Sequence, residues 1–235
     1  MSVKIIAFAQ AKGGVGKSTL CANMAATFSE RNRTLVIDCD PPQHSISAWY
    51  NIRVENYESP GLDVKIADKP STLFNLLEQE QDNYDLILLD GPPHINPMTK
   101  ACVAVASLVI VPLAPSPVEV WSFHEMDKLM LAVADVNAKV EARICWTRVR
   151  KRVKSAQYLI DDVNKAVKIK PIASVLTQRV AYLDSFAEGL SVYEWEDPVA
   201  RAELWSVHSA IQRLLKKSPD PKIKARKSIL AWSRQ

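Results

Sequence analysis

The chain has 235 residues, 48% of them apolar, which suits one domain with a large core. The formal net charge is only +4, and the longest apolar run, Ala101 to Ala114, is interrupted by Ser107 and Pro112, so we expect no membrane-spanning helix. The first ten residues lack the features of a secretory signal, and the four cysteines are isolated within apolar runs. These observations favour a cytoplasmic protein with buried free thiols over a disulfide-linked secreted one.

Short apolar strands alternate with helical patterns along the chain. The predicted strands cover residues 3–9, 34–40, 63–68, 84–90, 107–113 and 142–147. The predicted helices cover residues 17–31, 71–80 (with Ser71 as N-cap), 118–136 and 155–167. A last helix carries Leu204, Val207, Ile211 and Leu214 at helical spacing, which indicates packing against the body. Nearly continuous apolar strands separated by helices predict an α/β fold, a mostly parallel central sheet with helices on both faces.

The last twenty residues are strongly basic. Residues 216–235 contain seven cations against one acid, Asp220, a net charge of +6 that leaves −2 for the rest of a chain whose total is +4. The sequence SPDP at 218–221 breaks the last helix. We therefore predict a domain over residues 1–217, followed by a basic C-terminal tail over residues 218–235 that favours an anionic partner.

The stretch AKGGVGKST at residues 11–19 joins a predicted strand to a predicted helix. This is the context of a phosphate-binding loop, in which backbone N–H groups and the helix N-terminus face the phosphates. Lys17 would reach the β- and γ-phosphates, and the Ser18 hydroxyl would coordinate Mg²⁺. The candidate nucleotide contacts are Lys12, Gly13, Gly14, Val15, Gly16, Lys17, Ser18 and Thr19. The α/β fold is therefore expected to be of the P-loop NTPase type.

A second lysine, Lys12, distinguishes this loop, and Ala11 stands where the general pattern has glycine. The pattern KGGxGK[ST] resembles the signature of the deviant Walker A ATPases, a group that includes the ParA partition proteins, MinD and the nitrogenase iron protein. The resemblance implies ATP and Mg²⁺ as cofactors and a homodimer that forms on ATP binding. It also implies that Lys12 crosses the dimer interface to the phosphates of the other subunit, so that Lys12 and Lys17 both serve catalysis.

Three aspartates follow predicted strands. Alternation along the chain puts Asp38 and Asp40 on the same side, at the carboxyl edge of the sheet. By resemblance, Asp38 supports Mg²⁺ through water, and Asp40 positions or activates the attacking water as a catalytic residue. The strand YDLILLD resembles a Walker B strand, which places Asp90 close to the water ligands of Mg²⁺.

The resemblance covers about residues 1–215 and is closest to the small plasmid ParA proteins of the ParF type. The segments VIVPLAPSPVEVWS and VLTQRVAYLDSFAEGLSVYEW carry it. Because the sequence starts directly at its first predicted strand, we do not expect the N-terminal helix-turn-helix domain of larger relatives. Two departures stand out: DPPQ, which starts at Asp40, replaces the usual DPQ, and DGPP, which starts at Asp90, replaces the usual Asp-Thr-Pro-Pro. We expect ATPase activity to survive both departures, with an effect on the rate of hydrolysis.

Recognition of the base is expected from two segments. Many relatives place an asparagine after the strand that here reads ICW, where this chain has Thr147 and Arg148. We interpret Arg148 as a residue that stacks on adenine or reaches a phosphate. By resemblance, Pro115 and Ser116 lie near the base.

Two basic segments are candidate DNA contacts. The sequence RVRKRVK at residues 148–154 holds five cations and no acid, and the tail supplies the others. By resemblance, ATP-bound ParA dimers bind DNA without sequence preference, as basic side chains do through the phosphates. The candidate contacts are Arg150, Lys151, Arg152, Lys154, Lys216, Lys217, Lys222, Lys224, Arg226 and Lys227.

The resemblance predicts a nucleoid-associated partition ATPase that segregates plasmid or chromosomal DNA with a ParB-like centromere-binding partner. Three alternatives stay open: a MinD-like membrane-associated positioning ATPase, an electron-transfer protein like the nitrogenase iron protein, and a nucleotide-binding scaffold without hydrolysis. The membrane alternative would use the segment IKARKSILAWSRQ, but its apolar face is short and follows two prolines, so no stable membrane association is expected. A bridging cluster would need two exposed cysteines from each subunit, and only Cys102 lies in a suitable region.

Overall fold

The structure, a computed structural model, describes residues 3–235 except for the side chain of Ser122. Its described residues form a seven-stranded sheet of parallel strands in the order β3-β2-β4-β1-β5-β6-β7. The strands are β1 (Lys4–Phe8), β2 (Thr34–Asp38), β3 (Leu62–Ile66), β4 (Leu86–Asp90), β5 (Leu108–Leu113), β6 (Glu141–Trp146) and β7 (Lys170–Pro171). This sheet confirms the predicted parallel α/β fold of the P-loop NTPase type.

Helices cover both faces of the sheet. One face carries α1 (Lys17–Ser29), α2 (Ser45–Asn56), α7 (Ala181–Ala187) and α8 (Pro198–Leu215). The other face carries α3 (Pro70–Glu80), α4 (Pro97–Val105), α5 (Pro117–Ala132), α6 (Lys154–Ala166) and α9 (Arg226–Ser233). Short 3-10 turns cover Val133–Asp135 and Ile223–Ala225.

Strand β1 shows why two separate cores form. Its alternate residues point to opposite faces, so Ile5 and Ala7 lie in one core while Ile6 and Phe8 lie in the other. All four residues are fully buried, as expected for a central parallel strand covered by helices on both sides. The cysteines are buried and free, as predicted: Cys21, Cys39, Cys102 and Cys145.

The register of the central strands brings the predicted site residues to one edge. Asp90 pairs with Phe8 on one side and with Asp38 on the other, so the ends of β1, β2 and β4 are level. The loop at residues 9–16 leaves β1 at this carboxyl edge and leads directly into α1. The sheet therefore places the two aspartates beside the loop, where ligands bind in open α/β sheets.

Two local expectations differ from the structure. Ser71 was expected to cap α3, but that helix begins one residue earlier at Pro70, and Lys69 occupies the N-cap position. Proline favours the first helical position because its fixed φ suits a helix and its missing N–H has no intrahelical partner there. Helix α5 begins at Pro117 for the same reason and ends at Ala132, with a 3-10 turn completing the predicted span.

The segment after Lys217 also differs from the expected separate tail, because it folds back onto the body. Ile223 and Ile229 are buried in the core beside α4, with which α9 packs. The backbone N–H of Lys222 donates to the carbonyl of Val105, and Arg226 pairs with Glu78 of α3 at 2.7 Å. The apolar residues that alternate with the cations thus anchor this segment to the hydrophobic core of the body. Within residues 3–235, no helix is long and apolar enough to cross a bilayer.

Candidate functional site

The phosphate-binding loop has an open helix N-terminus. Gly16, with φ 94°, occupies the N-cap of α1 in the left-handed region, which glycine adopts without strain. No side chain of the described residues caps this helix, and its first turn contains no acid. The first N–H groups of α1 are therefore available to an anion, and the helix dipole favours negative charge there.

The two lysines of the loop are held differently. Lys17 is buried, its Nζ donates to the carbonyl oxygen of Lys12 at 3.3 Å, and burial lowers the pKa of Lys17 against the opposing effects of Asp90 and Asp40. The side chain of Lys12 is half-buried and makes no hydrogen bond or ion pair with any residue from 3 to 235. Lys17 is thus held within the loop, while the ammonium of Lys12 remains available to a ligand.

Asp90 is a buried carboxyl at the end of β4. It is fully buried, and within the described part of the chain neither of its oxygens has a hydrogen-bond partner. Burial raises the pKa of Asp90 to about 7, although the nearby Ser18 side chain and Lys17 act in the opposite direction. A buried acceptor of this kind, beside the Ser18 hydroxyl, fits the water ligands of a hydrated cation.

The donor set suits Mg²⁺ bound together with phosphates. Among residues 3–235, no group of three or more His, Cys, Asp or Glu side chains could hold a metal ion. Mg²⁺ commonly keeps several waters and binds through one or two protein oxygens plus substrate phosphates. The Ser18 hydroxyl and the Asp90 carboxylate fit that mode of binding, whereas a metal site made by protein side chains alone does not fit.

The pKa of Asp90 predicts a pH-dependent gain in stability for an Asp90→Asn variant without nucleotide. The folded pKa of about 7 lies above the usual 3.8, so the stabilisation by protonated Asp90 is complete below about pH 4 and is lost as pH rises through 7. At about pH 8 the variant should be more stable than the wild type by up to about 4 kcal/mol, with no gain at pH 4. Thermal unfolding across this pH range measures the difference.

The control for that experiment is Asp82→Asn, which neutralises an exposed carboxylate on the opposite edge of the sheet. It should leave the pH profile of unfolding unchanged. A constant difference between Asp90→Asn and wild type at every pH would contradict the raised pKa.

Asp38 anchors the start of α2. One oxygen, Oδ2, accepts hydrogen bonds from the backbone N–H and the hydroxyl of Ser47, at 3.0 and 2.9 Å. The other, Oδ1, accepts from the backbone N–H of Asp40 at 3.2 Å and lies 3.5 Å from Nδ1 of His44. This carboxylate therefore sets the path of residues 39–47, and its predicted role behind Mg²⁺ remains a prediction.

Asp40 is the accessible acid of the three. Asp40 is 8% exposed, while Asp38 and Asp90 are fully buried. Burial raises the pKa of Asp40, and the positive charge of Lys17 opposes that shift. The extra proline lies directly after it, and the Pro41–Pro42 peptide is cis. Asp40 can thus reach solvent beside Lys17, as its predicted role requires.

Gly91 explains one departure from the family pattern. A Cβ at this position would lie 2.8 Å from the carbonyl oxygen of Phe8, and the Gly91 N–H donates to that same oxygen at 3.0 Å. The path of this chain after β4 therefore requires glycine at the position where the resemblance implies threonine. Nearby, the N–H of His94 donates to the carbonyl of Ala11 at 2.6 Å, which ties this segment to the start of the phosphate-binding loop.

A cavity of about 510 Å³ opens beside the phosphate-binding loop. Val15, Gly16 and Thr19 form one side of it, and Thr147 and Arg148 form another. The hydroxyl of Thr147 donates to the carbonyl of Val15 at 3.0 Å, so this threonine links β6 to the loop. The cavity is large enough for a nucleobase and its sugar. Arg148 lines it, and its contact with a nucleotide remains a prediction.

Pro115 and Ser116 do not line this cavity. They precede α5, and the Ser116 hydroxyl accepts a hydrogen bond from the N–H of Glu119 at 3.4 Å as the N-cap of that helix. The structure therefore gives Ser116 a role in starting α5 and does not bring either residue to the cavity.

One wall of the cavity was not predicted to be part of the site. It consists of Leu176, Thr177, Gln178, Arg179, Val180, Tyr182 and Leu183, and Asn23 of α1 also lines the cavity. Val180 and Leu183 are each 67% exposed, which is unusual for large apolar side chains. The polar and apolar residues of this stretch follow no strand or helix period, so only its resemblance to ParA proteins marked it in the sequence.

The predicted DNA contacts fall into two groups on opposite edges of the sheet. Arg150, Lys151, Arg152 and Lys154 follow β6 at the carboxyl edge, and Arg150 lines the cavity. The other group consists of basic residues at positions 216–227, near Ser218. The carbonyl of Ser218 accepts a hydrogen bond from Nζ of Lys4 at 2.9 Å. Because Lys4 is the first residue of β1, this group lies at the amino edge of the sheet. Two candidates are already paired, Lys151 with Glu203 and Arg226 with Glu78.

Comparison with known proteins places this geometry in a family. "Maintenance of carboxysome distribution protein A" of Halothiobacillus neapolitanus is 23% identical over 80% of this chain and 86% of its own. The chromosome-partitioning ATPase Soj of Thermus thermophilus is 29% identical over 60% of this chain and 66% of its own. The structure of Cyanothece McdA in complex with ATP shares the fold, with a TM-score of 0.75 at 14% identity over 89% of this chain and 96% of that one. The model of the CobQ/CobB/MinD/ParA nucleotide binding domain matches residues 6–192, and the chain therefore belongs to that family.

Proposed function

We propose that this protein is an ATPase that forms a homodimer around two ATP molecules, binds DNA non-specifically as that dimer, and segregates plasmid or chromosomal DNA. One observation carries the proposal: the phosphate-binding loop presents two lysines, one buried beside the acids and one with its ammonium free of partners within the described chain. A single lysine in the fixed position would suffice for a nucleotide bound within one subunit. A free second lysine fits a phosphate that two subunits share.

Different parts of the loop bind the phosphates and neutralise their negative charge. The open N-terminus of α1 receives phosphate oxygens, and Lys17 neutralises the β- and γ-phosphates from the same subunit. Mg²⁺ bound by the Ser18 hydroxyl and by waters near Asp90 would supply further positive charge to the phosphates. Lys12 supplies a second cation to the γ-phosphate of the facing subunit, where charge develops during transfer.

Asp40 orients the attacking water in this proposal. Its accessible carboxylate lies near Lys17, and the hydrogen bond from its N–H to Asp38 fixes the backbone that carries it. A carboxylate in this position accepts the proton of the water as the water oxygen bonds to the γ-phosphorus, while the bond from that phosphorus to the bridging oxygen breaks and ADP leaves. A solved structure of Cyanothece McdA contains ATP, which supports ATP as the ligand of this site.

The basic loop at residues 148–154 is the better supported DNA contact. Arg150 and Arg148 line the nucleotide cavity, so the position of this loop is linked to the bound nucleotide. Arg152 and Lys154 are exposed and have no side-chain partner among the described residues. Pairing of two subunits doubles the number of such cations on one particle, and multivalent contact with phosphates raises affinity steeply.

An Arg152→Ala/Lys154→Ala double variant tests this contact. It should bind nucleotide normally and bind a random DNA duplex more weakly in ATP, because two phosphate contacts per subunit are lost. The slope of log K against log salt should become shallower by about 1.8 per subunit that contacts DNA. Fluorescence anisotropy over a salt series measures both quantities.

The matched control removes one lysine from the last turn of α6 and one from the loop that follows it. Lys165→Ala/Lys168→Ala takes away the same charge from exposed positions and should leave the salt slope unchanged. A corresponding Lys216→Ala/Lys217→Ala variant measures how much the basic residues at the amino edge of the sheet contribute to DNA binding. Equal DNA binding by the wild type in ATP and in ADP at one salt concentration would overturn the proposal.

The packing of α9 argues against the membrane alternative. A membrane-binding helix needs an apolar face that is free to enter the lipid. Here Ile229 is fully buried and Ile223 is 4% exposed, because both pack into the core beside α4. A liposome co-sedimentation assay with ATP separates the two functions, and binding to vesicles in place of DNA would favour the MinD-like one.

A ParB-like partner at a centromere-like DNA site completes the proposed cycle. Such a partner stimulates hydrolysis, the dimer separates, and the protein leaves the nucleoid DNA. Phosphate release measured with DNA and the candidate partner present also tests the scaffold alternative, because a scaffold without hydrolysis would release no phosphate under any condition. The similarity to a carboxysome-distribution protein is also consistent with a cargo other than DNA. The identity of the neighbouring gene would indicate which cargo the protein positions.

A further inference from the structure

Glu203 of α8 lies between the cavity wall and the basic loop. Its side chain is only 10% exposed. Oε2 accepts hydrogen bonds from the backbone N–H and the hydroxyl of Thr177, at 2.9 and 2.8 Å. Oε1 pairs with Nζ of Lys151 at 2.7 Å. One carboxylate on a helix behind the site therefore holds two different segments of the site.

The two segments that Glu203 holds are also paired with each other. Val149 and Thr177 form an isolated parallel bridge, the N–H of Val149 donates to the carbonyl of Leu176 at 3.0 Å, and the N–H of Gln178 donates to the carbonyl of Val149 at 3.1 Å. The Nε of Arg150 donates to the side-chain oxygen of Gln178 at 2.6 Å. A shift of the cavity wall would therefore move the basic loop with it.

We propose that Glu203 is a positioning residue with two effects. It holds Thr177 in the wall of the nucleotide cavity, and it keeps the ammonium of Lys151 paired within the protein and away from external phosphates. The second effect rests on the proposed binding of DNA. A lysine that is already neutralised adds little to counterion release, so Lys151 contributes to DNA binding only when the pair with Glu203 opens.

The chemistry of the carboxylate separates the two effects. Glutamine at position 203 keeps an oxygen that can accept from Thr177 but carries no charge to hold Lys151. Alanine removes both interactions and leaves the N–H and hydroxyl of Thr177 without their acceptor. The rest of the wall stays attached in both variants, because Arg179 pairs independently with Asp197, the N-cap of α8, at 2.6 Å.

The test uses the full chain with Glu203→Gln, Glu203→Ala and an exposed control, Glu196→Ala. Affinity for a fluorescent ADP analogue reports on the wall. It should fall about tenfold in Glu203→Ala, and by less than about threefold in Glu203→Gln and in the control. Binding to a random DNA duplex in ATP reports on Lys151. The salt slope should steepen by about 0.9 per contacting subunit in Glu203→Gln, and Lys151→Ala in the same chain should remove that change.

Each outcome decides one part of the proposal. Normal ADP affinity in a folded Glu203→Ala protein would overturn the positioning of the wall, and thermal unfolding against the Glu196→Ala control establishes that it is folded. A wild-type salt slope in Glu203→Gln would overturn the restraint on Lys151. Absence of DNA binding in the wild type itself would overturn the proposed function together with the Lys151 effect, while the ADP measurement still decides the effect on Thr177.

Discussion

A Lys12→Ala protein is expected to remain monomeric on addition of ATP and to hydrolyse ATP about 10²–10³-fold more slowly than the wild type. The lost cation lies at the start of the phosphate-binding loop and has no partner among residues 3–235 as described. Because Lys17 and the N-terminus of α1 are unchanged, ADP should still bind the monomer with affinity within a few-fold of normal. Size-exclusion chromatography with light scattering and a phosphate-release assay measure the two effects.

The control for Lys12→Ala is Lys168→Ala, which removes an exposed lysine near the start of β7. It should pair and hydrolyse ATP like the wild type. Lys17→Ala should instead lose nucleotide binding itself, since Lys17 is the cation buried beside Asp40 and Asp90. A Lys12→Ala protein that pairs on ATP and turns it over at the normal rate would contradict the shared-phosphate account.

An Asp40→Ala protein is expected to show the opposite combination, a stable ATP-bound dimer with hydrolysis lowered by about 10²–10⁴-fold. Asp40 lies near Lys17 but forms no part of the open helix N-terminus that receives the phosphates. Removing its negative charge should therefore spare ATP binding while the attacking water loses its acceptor. Light scattering over hours with ATP, followed by analysis of the bound nucleotide, measures the trapped state.

Asp82→Ala provides the comparison, as an exposed carboxylate outside the site. It should hydrolyse ATP at the wild-type rate and separate into monomers afterwards. If Asp40→Ala were equally active, another group would have to activate the water, and the assignment of Asp40 would fail. Together the Lys12 and Asp40 variants separate assembly from hydrolysis, which a single loss of activity cannot do.

Local patterns in the sequence were enough to locate the phosphate-binding site and most of the sheet. Continuous apolar strands, the spacing of the glycines and lysines, and aspartates at strand ends are short-range features. The backbone geometry of strand, turn and helix follows from such features directly. Parallel pairing then brings the strand ends to one edge, so Asp38 and Asp90 meet beside the loop as predicted.

Helix α2 shows where local patterns fail. Its buried residues are Ile46, Trp49 and Arg53, and the arginine interrupts the apolar period that would have marked a helix. Arg53 is buried because it pairs with Glu194 at 2.7 Å and donates to the carbonyl of Gly189 at 3.1 Å. Both partners are far away in sequence, so nothing near Arg53 indicates that a charge can be buried there.

The sequence by itself determined the nucleotide-binding loop, its second lysine, the acids and the parallel sheet, because each depends on residues close together in the chain. Only the tertiary structure decided that the basic C-terminal segment packs on α4, that residues 176–183 wall the cavity, and that Glu203 joins Thr177 to Lys151. These features depend on side chains from distant segments that meet only when the helices pack on the sheet. The spacing of residues along the chain does not indicate which distant segments will be in contact.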